Sequence, residues 1–179
     1  MQHAIDDRPG SAAGTPDTDG PQFLTFSLGD DIFAMDIRAV REIVQVGPMT
    51  PVPLMPEFVR GVINLRGSVV PVIDLPARFG RPRSRIDKRT CIVLFDTVRD
   101  GERVELGLLV DAVSEVIGID AGSMEDPPAF GAPVRREFIR AIARVARRFV
   151  VVLDPDTAFD IAELTALCAA APAPAALAA

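Results

Sequence analysis

The chain has 179 residues, 49% of them apolar and 25% charged, and a net charge of −6. With one His, two Cys, no Trp and no Tyr, it cannot build a His/Cys-rich zinc site. The one histidine, His3, stands in a Gly/Pro/Asp-rich leader, a poor place for a catalytic dyad or triad. The acidic balance argues against non-specific binding to nucleic acid or anionic lipid, and no apolar run reaches the roughly 20 residues that span a bilayer.

Residues 1–21 are mostly Gly, Pro, Ser, Asp and Ala and predict a disordered leader. The alternating run 22–28 (QFLTFSL), the turn Gly29-Asp30-Asp31 and the run 31–37 (DIFAMDI) predict two strands. Short helical turns are expected near Ile37–Val40 and Pro56–Val59. Residues 61–75 (GVINLRGSVVPVIDL) predict a hairpin with Gly67 at or beside its tip. Asp74 then caps a short helix that Gly80 closes after Phe79. The clearest hairpin joins 90–98 (TCIVLFDTV) to 103–111 (RVELGLLVD), because Asp100-Gly101 supplies the positive φ angles of a two-residue turn. Residues 138–154 (FIRAIARVARRFVVVLD) form a further hairpin. Asp154-Pro155 then opens a helix through AFDIAELTALCA, with Phe159, Ile161, Leu164 and Leu167 broadly on one face. The Ala/Pro tail 169–179 frays. Lacking a signal-peptide pattern, the chain is expected to be cytosolic, with Cys91 and Cys168 reduced.

Residues 58–74 align without gaps on 138–154, at a constant offset of 80. Five positions are identical: Phe58/Phe138, Arg60/Arg140, Val70/Val150, Val72/Val152 and Asp74/Asp154. Two copies of such a unit are too few for a solenoid. They predict two related small β subdomains, and many short strands with turn signals suggest barrels. Chance similarity between two Val-rich hairpins does not explain the Phe-x-Arg opening or the closing Asp. Charge is also segregated. Residues 60–89 hold eight Arg/Lys, 90–134 hold nine acids and 135–148 hold six Arg. Such blocks are solvated faces or complementary patches for protein partners.

The segments FLTFSLGDDIFAMDIRAVREIV, FVRGVINLRGSVVPVIDL, LGLLVDAVSEV, FIRAIARV and VVVLD resemble, in order and spacing, the CheW-like chemotaxis coupling proteins. The resemblance covers about residues 22–167 and leaves residues 22–168 as the domain. It implies a mainly β fold of two small five-stranded SH3-like barrels around a shared apolar interior, with a few short helices and a C-terminal helix. It implies a non-enzymatic adaptor without cofactor or metal. The implied partners are the cytoplasmic hairpin tip of a chemoreceptor and the regulatory domain of a CheA-type histidine kinase, with no nucleic acid and no membrane insertion. The protein would be a monomer in isolation and join rings in cytoplasmic receptor arrays.

Carried over position by position, the family's receptor contacts fall on Ile37, Val40, Glu42, Ile43 and Arg66. Asn64 and Gly67 would shape the loop, and no kinase-binding residue stands out. Glu42 and Arg66 are free to pair with each other or with the partner. The spacing of Ile37, Val40 and Ile43 suits one face of a short helix, whether as partner contacts or as core. In the second hairpin, Ala141 stands where Gly is common, and Ala146-Arg147-Arg148 replaces a Gly- or Asp-containing turn. That turn must either tolerate negative φ or carry strain. The basic loop Arg81–Arg89 reads as a connector. A barrel binding a small polar ligand or single-stranded nucleic acid is the alternative. The charge and the absence of aromatics other than Phe argue against its nucleic-acid form. A carboxylate-pair hydrolase using Glu42, Glu115, Asp36 or Asp111 has no spacing to support it.

Overall fold

A computed structural model describes residues 20–99, 101–129 and 134–158. The remainder of the predicted leader, Asp100, Cys168, the C-terminal helix beyond Ala158 and the Ala/Pro tail lie outside these residues. In chain order the strands are β1 (Gln22–Leu28), β2 (Asp31–Asp36), β3 (Val40–Gln45), β4 (Val59–Leu65), β5 (Ser68–Asp74), β6 (Cys91–Arg99), β7 (Glu102–Val110), β8 (Ala112–Gly118), β9 (Met124–Glu125), β10 (Ile139–Val145) and β11 (Arg148–Leu153). Two short helices follow β5 and β11: α1 (Leu75–Arg78) and α2 (Pro155–Ala158).

The strands form two sheets, in the orders β8-β1-β2-β11-β10-β9 and β3-β6-β7-β5-β4. The hairpins β4–β5 and β10–β11 are the two copies of the repeat, and their burial follows one pattern over 61–70 and 141–150. In each, the closing aspartate amide donates to the carbonyl of the opening phenylalanine: Asp74 to Phe58 at 2.7 Å, Asp154 to Phe138 at 3.1 Å. The copies are interleaved. β10–β11 joins the N-terminal hairpin β1–β2 through a parallel β11–β2 pairing, and β4–β5 joins β6–β7 through a parallel β5–β7 pairing. β3 and β8 also cross into the sheet built on the other unit's first hairpin. Each sheet therefore needs both halves of the sequence.

Pairing between the named strands alone does not close either sheet into a full barrel. The ring of the second sheet is completed by the chain itself. Five residues beyond β3, Thr50 makes a two-bond bridge to Val62 on β4, each bond 2.9 Å long. In the first sheet, β9 follows β8 and pairs with β10, which makes that sheet six-stranded. Burial on both faces of the strands follows. Phe23, Ala34, Ala143, Val150 and Val152 fill one interior, and Ile63, Val70, Val72, Ile92 and Leu94 fill the other. Between the sheets lies the shared core, with Phe26, Phe33, Met35, Ile73, Phe95, Leu108 and Phe138. Burying such a side chain contributes about 1.5–3 kcal/mol.

Arg78 bridges the two copies of the repeat. Its guanidinium lies 4.8 Å from the Phe58 ring and 4.9 Å from the Phe138 ring, and these two are repeat equivalents. Its Nε donates to Ala158 O at 3.3 Å, the residue 80 positions on.

Two local expectations are corrected, and one open alternative is resolved. Near Pro56–Val59 the chain makes a turn, closed by Val59 N–H to Pro56 O at 2.9 Å, not a helix. The helical turn expected near Ile37–Val40 is present as a single 3₁₀ turn, Ile37–Ala39, capped by Asp36, but Val40 already begins β3. The short helix proposed for Ile37, Val40 and Ile43 is therefore absent. The strained alternative is the one taken at the second hairpin: Ala146 and Arg147 have φ of 47° and 65°. A two-residue connection between right-twisted strands favours positive φ at both positions, and that geometric demand overrides the preference of these side chains.

Candidate functional site

β3 is an edge strand with a bulge. Val40 faces Phe95 on β6, whereas Glu42 faces Leu94, so Arg41 is the inserted residue. Residues opposite each other across an antiparallel pair share a face. Val40 and Ile43, opposite Phe95 and Val93, therefore both lie on the shared-core face, despite their odd spacing. Ile37 and Val40 are half-buried and pack on that core. Ile43 lies further out and is 42% exposed. The three share a face, as their spacing suggested, because a bulge follows a 3₁₀ turn.

Glu42 and Val44 take the opposite face, which lines the interior of the second sheet. At that rim Arg66 Nη2 donates to Glu42 Oε1 at 3.0 Å and to Oε2 at 2.9 Å. Arg66 stands at the β4–β5 tip with φ 52°, followed by Gly67 at φ 85°, and Asn64 Oδ1 accepts from Gly67 N–H at 3.1 Å. The Asn side chain thus stabilises a turn that needs two left-handed residues. Arg66 is 75% exposed and Glu42 37%, so the pair is accessible to a partner and contributes only about 0–1 kcal/mol to the fold.

Two features extend the site beyond the residues that the resemblance marks. The bulge residue Arg41 reaches Asp96 and Glu105, each at 3.5 Å, and adds a charged patch beside Glu42. Only its place in a run of mixed charge hinted at this. The second is Asp74, read as a helix cap. It accepts from Ala77 N–H at 3.1 Å as that reading requires, but it is also fully buried against Arg60 at 3.0 Å and Ser84 N–H at 3.0 Å. This network pins the basic segment 81–89, so the segment is more than a loose connector. Asp154 caps α2 alone, through Asp156 N–H and Thr157 Oγ1, both at 3.1 Å.

The carboxylates weighed for hydrolysis have separate duties. Asp36 pairs with Arg38, whose hydrogen bond holds its carboxyl below the usual range despite partial burial. Asp111 accepts from Gly29 N–H at 2.7 Å and from Ser84 Oγ at 3.3 Å. Among the described residues no cluster of His, Cys, Asp and Glu could hold a metal ion. A cleft of about 520 Å³ runs between the β1–β2 turn and segment 81–89. Within it Arg81 pairs with Asp31 at 2.7 Å and Arg83 donates to Glu57 O at 2.9 Å. No described helix is long and apolar enough to cross a membrane.

Comparison with known proteins agrees with this architecture. The CheW-like domain family matches residues 22–163. The chemotaxis protein CheW of Rhizobium meliloti is 35% identical over 144 residues, 80% of this chain and 90% of the relative. That of Treponema pallidum is 30% identical over 146 residues, 82% of this chain and 86% of the relative. The crystal structure of the scaffolding protein TtCheW from Thermoanaerobacter tengcongensis superposes with a TM-score of 0.69 at 33% identity, covering 86% of this chain and 90% of that one. The chain belongs to the CheW-like family and is a non-enzymatic chemotaxis scaffolding and coupling protein.

Proposed function

We propose that this chain joins the cytoplasmic hairpin tip of a chemoreceptor to the regulatory domain of a CheA-type histidine kinase, and that the rim of the second sheet is its receptor face. The accessible Glu42–Arg66 pair, with exposed Ile43 on the other face of the same edge strand, carries this reading. An edge strand that offers an exposed apolar side chain and charges that contribute little to the fold is suited to a reversible contact. Glu42 and Arg66 exchange their mutual pairing for the receptor's charges, and Ile43 supplies the apolar anchor. Ile37 and Val40 act behind it by holding β3 on the core. The protein is a monomer in isolation and enters rings in arrays at the inner face of the membrane.

The test is binding of the Arg66→Glu variant to a receptor cytoplasmic fragment. The variant is expected to keep its thermal unfolding transition and lose most receptor affinity. Unchanged affinity overturns the assignment of the receptor face.

A further inference from the structure

The two hairpin tips of the repeat occupy equivalent positions and carry different chemistry. At β4–β5 the tip arginine, Arg66, is paired with Glu42 and the turn ends on glycine. At β10–β11 the residues Arg144, Arg147 and Arg148 surround Phe149, and none of the three arginines forms an ion pair among the described residues. Phe149 is 61% exposed, and Arg144, its cross-strand partner, lies 5.2 Å from the ring centre. The turn between them keeps two non-glycine residues in the left-handed region. An exposed aromatic ring, three unneutralised guanidinium groups and a strained turn thus coincide within six residues. Aromatic and arginine side chains are the types that anchor protein interfaces, and stored backbone strain clusters at functional positions.

We infer that the β10–β11 tip is a docking site for an acidic protein surface with an apolar recess, which receives the Phe149 ring while its carboxylates meet Arg144, Arg147 and Arg148. This rests on the adaptor reading and gives its kinase side a location. Charge complementarity sets the partner's sign. The flat face of an anionic bilayer fits less well, because exposed Glu125 and Asp126 stand beside the same strand, with Glu125 opposite Ile142 of β10. A nucleic acid would find one aromatic platform, already flanked by Arg144.

The experiment measures binding of the full chain to the regulatory domain of a CheA-type kinase and, in parallel, to a receptor cytoplasmic fragment. Phe149→Ala and Arg147→Glu are each expected to weaken kinase binding about tenfold or more and to leave receptor binding unchanged. Val69→Ala, at the equivalent position of the other tip, is expected to leave kinase binding unchanged. Increasing salt is expected to weaken kinase binding by the wild type more than by Arg147→Glu. Wild-type kinase binding with both tip variants unaffected overturns the tip assignment and leaves the adaptor reading standing. A wild type that binds neither kinase nor receptor overturns both. Phosphatidylglycerol vesicles form a third arm: vesicle binding that depends on Phe149, with kinase binding that does not, assigns the tip to membrane and overturns the proposal.

Discussion

Arg66 and Glu42 form a two-oxygen ion pair across the seam of a sheet. Glu42 is on β3 and Arg66 follows β4, the two edges of the order β3-β6-β7-β5-β4. The sheet curls far enough to bring its first and last strands within reach of one arginine. The charge pair therefore stands where the barrel is least closed by backbone, and a partner can enter there without breaking a ladder.

Exchanging the two charges separates the fold from recognition. The double variant Glu42→Arg/Arg66→Glu keeps an attractive pair, so its stability is expected to stay within about 1 kcal/mol of the wild type. Its receptor binding is expected to fall as far as that of Arg66→Glu alone, because the partner meets reversed charges. Chemical denaturation and receptor titration of the same preparation check both. Full binding by the exchanged pair would make the ion pair a structural clasp only.

The two closing aspartates of the repeat are expected to differ in worth. Asp74→Ala strands half-buried Arg60 and the buried Ser84 amide and removes the α1 cap, and is expected to cost about 2–4 kcal/mol. Asp154→Ala removes a partly exposed cap and is expected to cost about 1 kcal/mol. Urea unfolding of both variants measures the difference. Equal losses contradict the network assigned to Asp74.

Gly61 and Ala141 are repeat equivalents that are not interchangeable. A Cβ on Gly61 would lie 2.6 Å from Thr50 O, and its φ is +152°. Gly61→Ala must displace the bridge that completes the second ring, at a cost of about 1–3 kcal/mol. Protection of the Val62 amide from hydrogen exchange reports this directly and is expected to fall.

Ala146→Gly is expected to stabilise the protein by about 0.5–1 kcal/mol. It relieves one left-handed alanine at φ 47° and retains all three tip arginines. Thermal unfolding checks the sign. An unchanged or lowered transition would mean that the turn is not strained.

Acid titration is expected to reveal Asp36. Its folded value is lowered, chiefly by the hydrogen bond from the Arg38 side chain. The stabilisation is therefore present above the ordinary aspartate value of 3.8 and is lost as pH falls through the lower folded value. Asp36→Asn removes this part of the pH dependence. Stability–pH curves of the two proteins that run parallel below 3.8 contradict the pairing.

The hairpins were legible because turn chemistry is local: Asp100-Gly101, Arg66-Gly67 and the two closing aspartates each mark an end. The interleaving was not. A repeat shows that two hairpins are alike, but the parallel pairings β5–β7 and β11–β2 join strands far apart in the chain and leave no local trace. Ile37, Val40 and Ile43 suggested a helix because a bulged strand after a 3₁₀ turn restores one face at the same spacing. Glu42 and Arg66 were picked out by resemblance and opposite charge, but their meeting across the seam depends on sheet curl. Phe149 carries no signal of its own, because the continuous apolar run 149–153 reads the same whether a given face is covered or open.

Co-sedimentation tests the central claim most directly. Membranes carrying a chemoreceptor are mixed with a CheA-type kinase, with and without this chain. The kinase is expected to sediment with the receptor far more when the wild-type chain is present, and Arg66→Glu is expected to abolish that gain while still binding the kinase in solution. Kinase recovery that is independent of the chain, or identical with wild type and Arg66→Glu, would contradict the account.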